Sequence, residues 1–329
     1  MKAKKLLAGV LTCTMVFAMG MTAFAADETV GNVNAEMKKS YKLENEGTVS
    51  PAETFKFKAD FLGVTDAADT VKTGPVLTIA PAVYTEQDGA TKDGNIKTLA
   101  ISHKDNFPSV GIYTYRVTET EGNTAGVTYD TKEKTLVVTV TQGDNGLKET
   151  YALHDGDALK DNKTDRVENT YSAGNLTVTK EVAGNLGDTA KKFDFTVKFT
   201  KPVDKNVKST ITAIAANGTK TEITPEWNEE GTYTYTFKLS DGESATFKNI
   251  PYGVTYKVSE EKADYNPTIE GKDEGNVNAA EAKVTFKNTK EGSVDTGINL
   301  TTLPYMLTIA AIFVIAAIAF VAKRRRFED

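Results

Sequence analysis

Through most of its length this chain alternates apolar and polar residues in short runs, such as TLVVTVT at 135–141 and TYTYTF at 232–237, divided by Gly, Asn and Asp turns. A period of two places successive side chains on opposite faces of a strand, so each run can bury one face and wet the other. Helical periodicity is sustained only at the two ends of the chain. The expected class is therefore all-β, with sandwich domains flanked by an N-terminal signal helix and a C-terminal transmembrane helix.

The ends frame where such domains reside. Lys2, Lys4 and Lys5 precede an apolar run at 6–21 and then Ala23, Phe24 and Ala25, the three-part layout of a cleavable secretory signal, which puts the mature start at Ala26. Residues 303–322 are uncharged and mostly apolar, long enough as a helix to cross a hydrocarbon core. Lys323, Arg324, Arg325 and Arg326 follow, and a cationic flank stays cytoplasmic, so everything before residue 303 is expected outside the cell. The body between these ends has 32 basic against 43 acidic residues, a formal charge of −11 that repels nucleic acid and anionic lipid. The single cysteine, Cys13, leaves with the signal, so a disulfide is excluded in a compartment that permits one. Any covalent staple must use other chemistry.

A body of about 270 residues predicts roughly two domains. The sequence also repeats itself: GIYTYRVTE at 111–119 is echoed by YGVTYKVSE at 252–260, FKF at 55–57 by FDF at 193–195, and ENT at 168–170 by KNT at 287–289. Two related β-sandwich domains in tandem are expected, at 26–171 and 172–292, followed by a sorting region at 293–329. The seam is short, so the domains should stack end to end with little freedom.

Alternation assigns each strand residue to a face, and in three places per domain the apolar face holds one polar residue. The inward set of the strand at 176–182 is Leu176, Val178, Lys180 and Val182; at 254–260 it is Val254, Tyr256, Val258 and Glu260; at 284–288 it is Val284, Phe286 and Asn288. The first domain repeats the order with Met37, Lys39, Tyr41 and Leu43, then Tyr113, Tyr115, Val117 and Glu119, then Val167, Asn169 and Tyr171. A lysine at a strand end can snorkel to water, and a glutamate there can face solvent. Two triplets in the same order, with the same 80-residue spacing from Lys39 to Glu119 and from Lys180 to Glu260, favour chemistry instead.

Burial is what that chemistry requires. An apolar core lowers the pKa of a lysine, which becomes a neutral nucleophile, and raises that of a glutamic acid, which stays protonated. The neutral acid is expected to hydrogen-bond the Asn carbonyl, polarise it and pass a proton to departing ammonia. Held together by the fold, the partners react as if unimolecular. Each triplet can thus form one amide and stop, with no cofactor and no metal. A bond from first to last strand closes a loop of more than 100 residues, worth roughly 4–5 kcal/mol in the loop-entropy model, and diverts pulling force past the domain.

At these residues the sequence resembles the Gram-positive backbone pilins with paired intramolecular isopeptide domains, the streptococcal T-antigen-like major pilin family. The likeness spans about 36–297 and includes the Tyr-x-Val-x-Glu strands and the LTVTK segment opening the second domain. It implies Ig-like, CnaB-like sandwiches in which Lys39 and Lys180 are the linking amines, Asn169 and Asn288 the acceptors, and Glu119 and Glu260 the catalytic acids. Lys38 adjoins Lys39 but falls on the opposite face.

SVDTG at 293–297, a spacer, the apolar stretch and the Arg cluster follow the layout of a sortase signal, cut in the family between Thr and Gly, here Thr296 and Gly297. The usual Leu-Pro opening is missing, so the expected sortase is a pilin-polymerising one, a housekeeping one, or both in turn. The resemblance also implies an acceptor lysine ahead of the last strand of the first domain. Lys163 is the first choice there and Lys160 the second, in a polar, loop-like segment. Expected partners are sortase, identical subunits in a covalent polymer, and peptidoglycan, with no nucleic acid. The runner-up is a monomeric wall-anchored adhesin or accessory pilin. An enzyme acting on other molecules finds no support: His103 and His154 lie far apart without a ligand cluster, and Asp155, Asp157 and Asp161 are too irregular for a calcium loop.

Overall fold

The computed structural model of the chain describes residues 35–157, 162–293 and a helix at 302–325. The signal segment 1–25, Lys160, Thr296 and Gly297 lie outside the described residues.

Strands in the first half are β1 (Ala35–Leu43), β2 (Glu53–Phe55), β3 (Phe57–Thr65), β4 (Leu77–Ile79), β5 (Ala82–Tyr84) and β6 (Asn95–His103). They continue with β7 (Gly111–Glu119), β8 (Val127–Thr128), β9 (Lys134–Gly143), β10 (Gly146–Asp155), β11 (Lys163–Thr164) and β12 (Arg166–Tyr171). One sheet has the order β4-β6-β1-β12-β8 and the other β11-β10-β9-β7-β3, with β2 and β5 as a separate pair. Met37, Leu99 and Val167 from the first sheet meet Tyr113, Val117 and Val138 from the second in one buried core.

The second half contributes β13 (Ala173–Ala183), β14 (Phe193–Thr200), β15 (Ile211–Ile214), β16 (Lys220–Ile223) and β17 (Thr232–Leu239). Then come β18 (Ser244–Pro251), β19 (Thr255–Glu260), β20 (Asn266–Gly271), β21 (Glu274–Asn276) and β22 (Glu281–Thr289). The sheets β16-β15-β18-β13-β22-β20 and β17-β14-β19-β21 enclose a second core built on Leu176, Val178, Phe195, Phe199, Phe247 and Phe286.

Both halves share one topological choice. The first strand pairs in parallel with the last, β1 with β12 and β13 with β22. Lys39 stands opposite Val167 and Tyr41 opposite Asn169; Lys180 stands opposite Phe286 and Val182 opposite Asn288. In each pair the Asn therefore sits two positions beyond the residue facing the Lys, and an offset of two keeps both side chains on one face.

The two halves touch through side chains that complete the other half's backbone. Asn249, at φ 63°, accepts from the Val49 N–H at 3.0 Å and donates to the Val49 carbonyl at 2.9 Å. Asn45 Nδ2 donates to the Tyr252 hydroxyl, Tyr171 and Ser209 share a hydroxyl hydrogen bond of 2.7 Å, and Lys208 pairs with the buried Glu53. Gly126 turns the chain at φ 78°, where a Cβ would stand 2.6 Å from the Ser172 carbonyl oxygen and 2.9 Å from the Tyr171 ring. Only glycine tolerates both the left-handed backbone and that approach.

Residues Thr302–Arg325 form helix α1. The expectation of a membrane-crossing helix over 303–322 is not met: among the described residues no helix is long and apolar enough to cross a membrane.

Candidate cross-linking sites

Alternation along β1, β7 and β12 delivers Lys39, Glu119 and Asn169 to the same interior. Lys39 and Asn169 come from neighbouring strands of one sheet, and Glu119 reaches across from the facing sheet. Lys39 is 0% exposed, Asn169 1%, and the Glu119 side chain 1%. Lys39 Nζ donates to Glu119 Oε2 at 2.9 Å, and Asn169 Nδ2 donates to Glu119 Oε1. The amine lies 4.7 Å from the centroid of the Phe55 ring, part of an aromatic wall with Tyr41 and Tyr84 that keeps water out.

These surroundings set the proton affinities. Burial pulls the Lys39 amine down to about 8, against the opposing charge of Glu119. Burial pushes the Glu119 carboxyl up, although Lys39 and the Asn169 hydrogen bond oppose it. Both shifts act in the same sense, toward the neutral amine and the neutral acid.

The second interior repeats the arrangement from β13, β19 and β22. Lys180 Nζ donates to Glu260 Oε2 and to the Phe286 carbonyl, both at 3.2 Å, while Asn288 Nδ2 donates to Glu260 Oε1. Lys180 is 0% exposed and Asn288 2%, and the Phe193 ring lies 4.5 Å from the amine. Burial lowers the Lys180 pKa, opposed by Glu260.

Lys38 lies on the opposite face of β1 and pairs with Asp165 at 2.7 Å, away from the interior. Lys163 is exposed, as expected, but not in a loop: it belongs to the two-residue edge strand β11, opposite His154 of β10. Among the described residues no group of three or more His, Cys, Asp or Glu side chains gathers to hold a metal.

One expectation needs correction. The acid does not polarise the Asn169 carbonyl; Glu119 accepts from the amide nitrogen, and the carbonyl oxygen Oδ1 accepts instead from the backbone N–H of Asp130 at 2.8 Å. A main-chain N–H can only donate, so the carboxamide atom facing it must be oxygen, which turns the nitrogen toward Glu119. Sequence reading missed this donor because a backbone group carries no residue signature.

Residues 35–172 match the family described as the Spy0128-like isopeptide containing domain, and residues 174–290 match a domain of unknown function (DUF7601). A pilin of Streptococcus pyogenes serotype M1 is 29% identical, the alignment covering 92% of this chain and 96% of that protein. The solved major pilin from Streptococcus pyogenes has a similar fold, with a TM-score of 0.52 at 23% identity over 80% of this chain and 100% of that one. A pilus tip adhesin, Cpa, of the same species is 29% identical over a shorter stretch, 35% of this chain and 15% of the adhesin. With its first half matching an isopeptide-containing domain and nearly its whole length aligned to a pilin, the chain is similar to the pilins of Streptococcus pyogenes.

Proposed function

We propose that this chain is a structural subunit of a covalent, sortase-assembled pilus, and that each half locks itself with one amide bond, Lys39 to Asn169 and Lys180 to Asn288. The observation that carries the proposal is the twofold burial of an amine, an acid and a carboxamide in hydrogen-bond contact. In each half the neutral amine attacks the Asn side-chain carbon, the glutamate moves the proton, and ammonia leaves. The chain acts on no other molecule; Glu119 and Glu260 each serve a single turnover. The units would be 26–171 and 172–292, each a CnaB-like sandwich.

Assembly would use Thr296 as the acyl donor after cleavage before Gly297, with an exposed lysine of the next subunit, Lys163 or Lys160, or a peptidoglycan amine as acceptor. The order of SVDTG, apolar stretch and basic cluster supports this step, and Lys163 at a sheet edge is accessible. The product would reside on the cell surface, fixed to the wall. The alternative of a monomeric adhesin has the narrower likeness to a tip adhesin behind it.

Intact mass of the exported body 26–296 tests the cross-links: two lost ammonia molecules remove about 34 Da, and Glu119→Ala and Glu260→Ala each restore half of it. An unchanged mass in the parent protein would refute self-linking. Boiled wall extracts test assembly, a ladder of high-mass bands supporting a backbone subunit and a single band the adhesin.

A further inference from the structure

We infer that the first half carries an oxyanion site for its own cross-linking: the backbone N–H of Asp130 is the donor, and Lys134 is the residue that positions it. The inference rests on the proposed Lys39–Asn169 bond and adds to it a group outside the Lys, Glu and Asn triplet.

The donor is already in place. Asp130 N–H meets Asn169 Oδ1 at 2.8 Å, the distance at which a hydrogen bond stabilises negative charge on oxygen. Asp130 follows Tyr129, itself buried against Phe55 of the aromatic wall. Its carboxylate fastens the turn from within: Oδ1 accepts from the Lys132 N–H at 2.9 Å and Oδ2 from Lys134 Nζ at 2.9 Å. Lys134 is 3% exposed at the start of β9 and also bonds Asp155 at 2.7 Å, at the end of β10. A buried ammonium held between two carboxylates from different segments ties the turn to the sheet, which gives the N–H a fixed direction.

The reaction balances without any added reagent. Neutral Lys39 Nζ forms a bond to Asn169 Cγ while the carbonyl π pair moves onto Oδ1, where the Asp130 N–H receives it. Glu119, already in contact with both nitrogens, takes a proton from Nζ and delivers one to Nδ2. The Cγ–Nδ2 bond breaks, the pair on Oδ1 re-forms the carbonyl, and ammonia departs. The same N–H has a second consequence: by fixing which end of the carboxamide is oxygen, it points the leaving nitrogen at the acid.

The test compares Asp130→Pro, which lacks the N–H, with Asp130→Ala, which keeps it. Each is made in the full chain, and ammonia loss is followed over time by intact mass and by mapping the Lys39–Asn169 peptide. The Lys180–Asn288 bond serves as the internal control. Asp130→Pro is expected to slow the first bond by about 10²–10³-fold, the usual effect of losing one oxyanion donor, and Asp130→Ala by much less. If Asp130→Pro does not fold, Lys134→Met decides: a displaced turn should slow the first bond about tenfold or more, with Lys134→Arg restoring it and the second bond unaffected. Parent-like rates in a folded Asp130→Pro, or in Lys134→Met, overturn the inference. A parent chain that never forms the first bond would instead overturn the cross-linking reading itself.

Discussion

The pair Lys39 and Glu119 sets an expectation at the scale of single residues. The reactive form, neutral amine with neutral acid, holds the same one proton as the ion pair, so the rate should be level while the pair keeps that proton. As pH rises through about 8, the value to which burial brings Lys39, the last proton leaves and the acid needed for ammonia departure is lost. On the acid side both groups are protonated, and because Glu119 is raised this limb lies above the ordinary glutamate range. A bell-shaped rate profile for the first bond, measured by intact mass in a buffer series, is expected; a rate still climbing beyond pH 9 would contradict it. Aromatic neighbours matter for the same reason. Phe193→Ala should open the Lys180 pocket to water, slow the second bond, and cost about 3–5 kcal/mol of stability as a core cavity.

At the scale of elements, strand alternation made much of the site readable before any coordinates. The period of two assigns Lys39, Asn169, Lys180 and Asn288 to interiors, where they lie, because burial of one sheet face leaves no freedom of register. What alternation cannot express is a main-chain donor arriving from a turn, and so the Asp130 N–H was invisible and its role fell to Glu119. Nor can it tell a polar loop from a short edge strand, since β11 gains its two residues of pairing from β10 rather than from any pattern of its own. The turn at Gly126 yields a further test. Gly126→Ala demands a left-handed alanine pressed on the Ser172 carbonyl and should cost roughly 1–3 kcal/mol in a denaturant melt of the uncross-linked Glu119→Ala background.

At the scale of the whole molecule, the junction and the proposed cross-links address separate motions. Asn249 completing the backbone at Val49, together with the Glu53–Lys208 pair, binds one half to the other, so Asn249→Ala should broaden the distribution of particle lengths in small-angle scattering while leaving both cross-links intact. Deleting one cross-link should do the reverse. By preventing the proposed Lys39–Asn169 bond, Glu119→Ala would leave open a loop of more than 100 residues and should lower the unfolding free energy of the first half by roughly 4–5 kcal/mol, with the particle length unchanged.

The parallel pairing of first and last strands carries one more consequence. Two adjacent strands that run the same way send their outer ends toward opposite poles of a sandwich, so stretching the chain slides β1 along β12 and β13 along β22 instead of peeling them apart. Sliding loads a whole row of hydrogen bonds at once, whereas peeling breaks them singly. An amide spanning that plane of slip, set two residues along from the direct opposite, would act as a bolt through a lap joint.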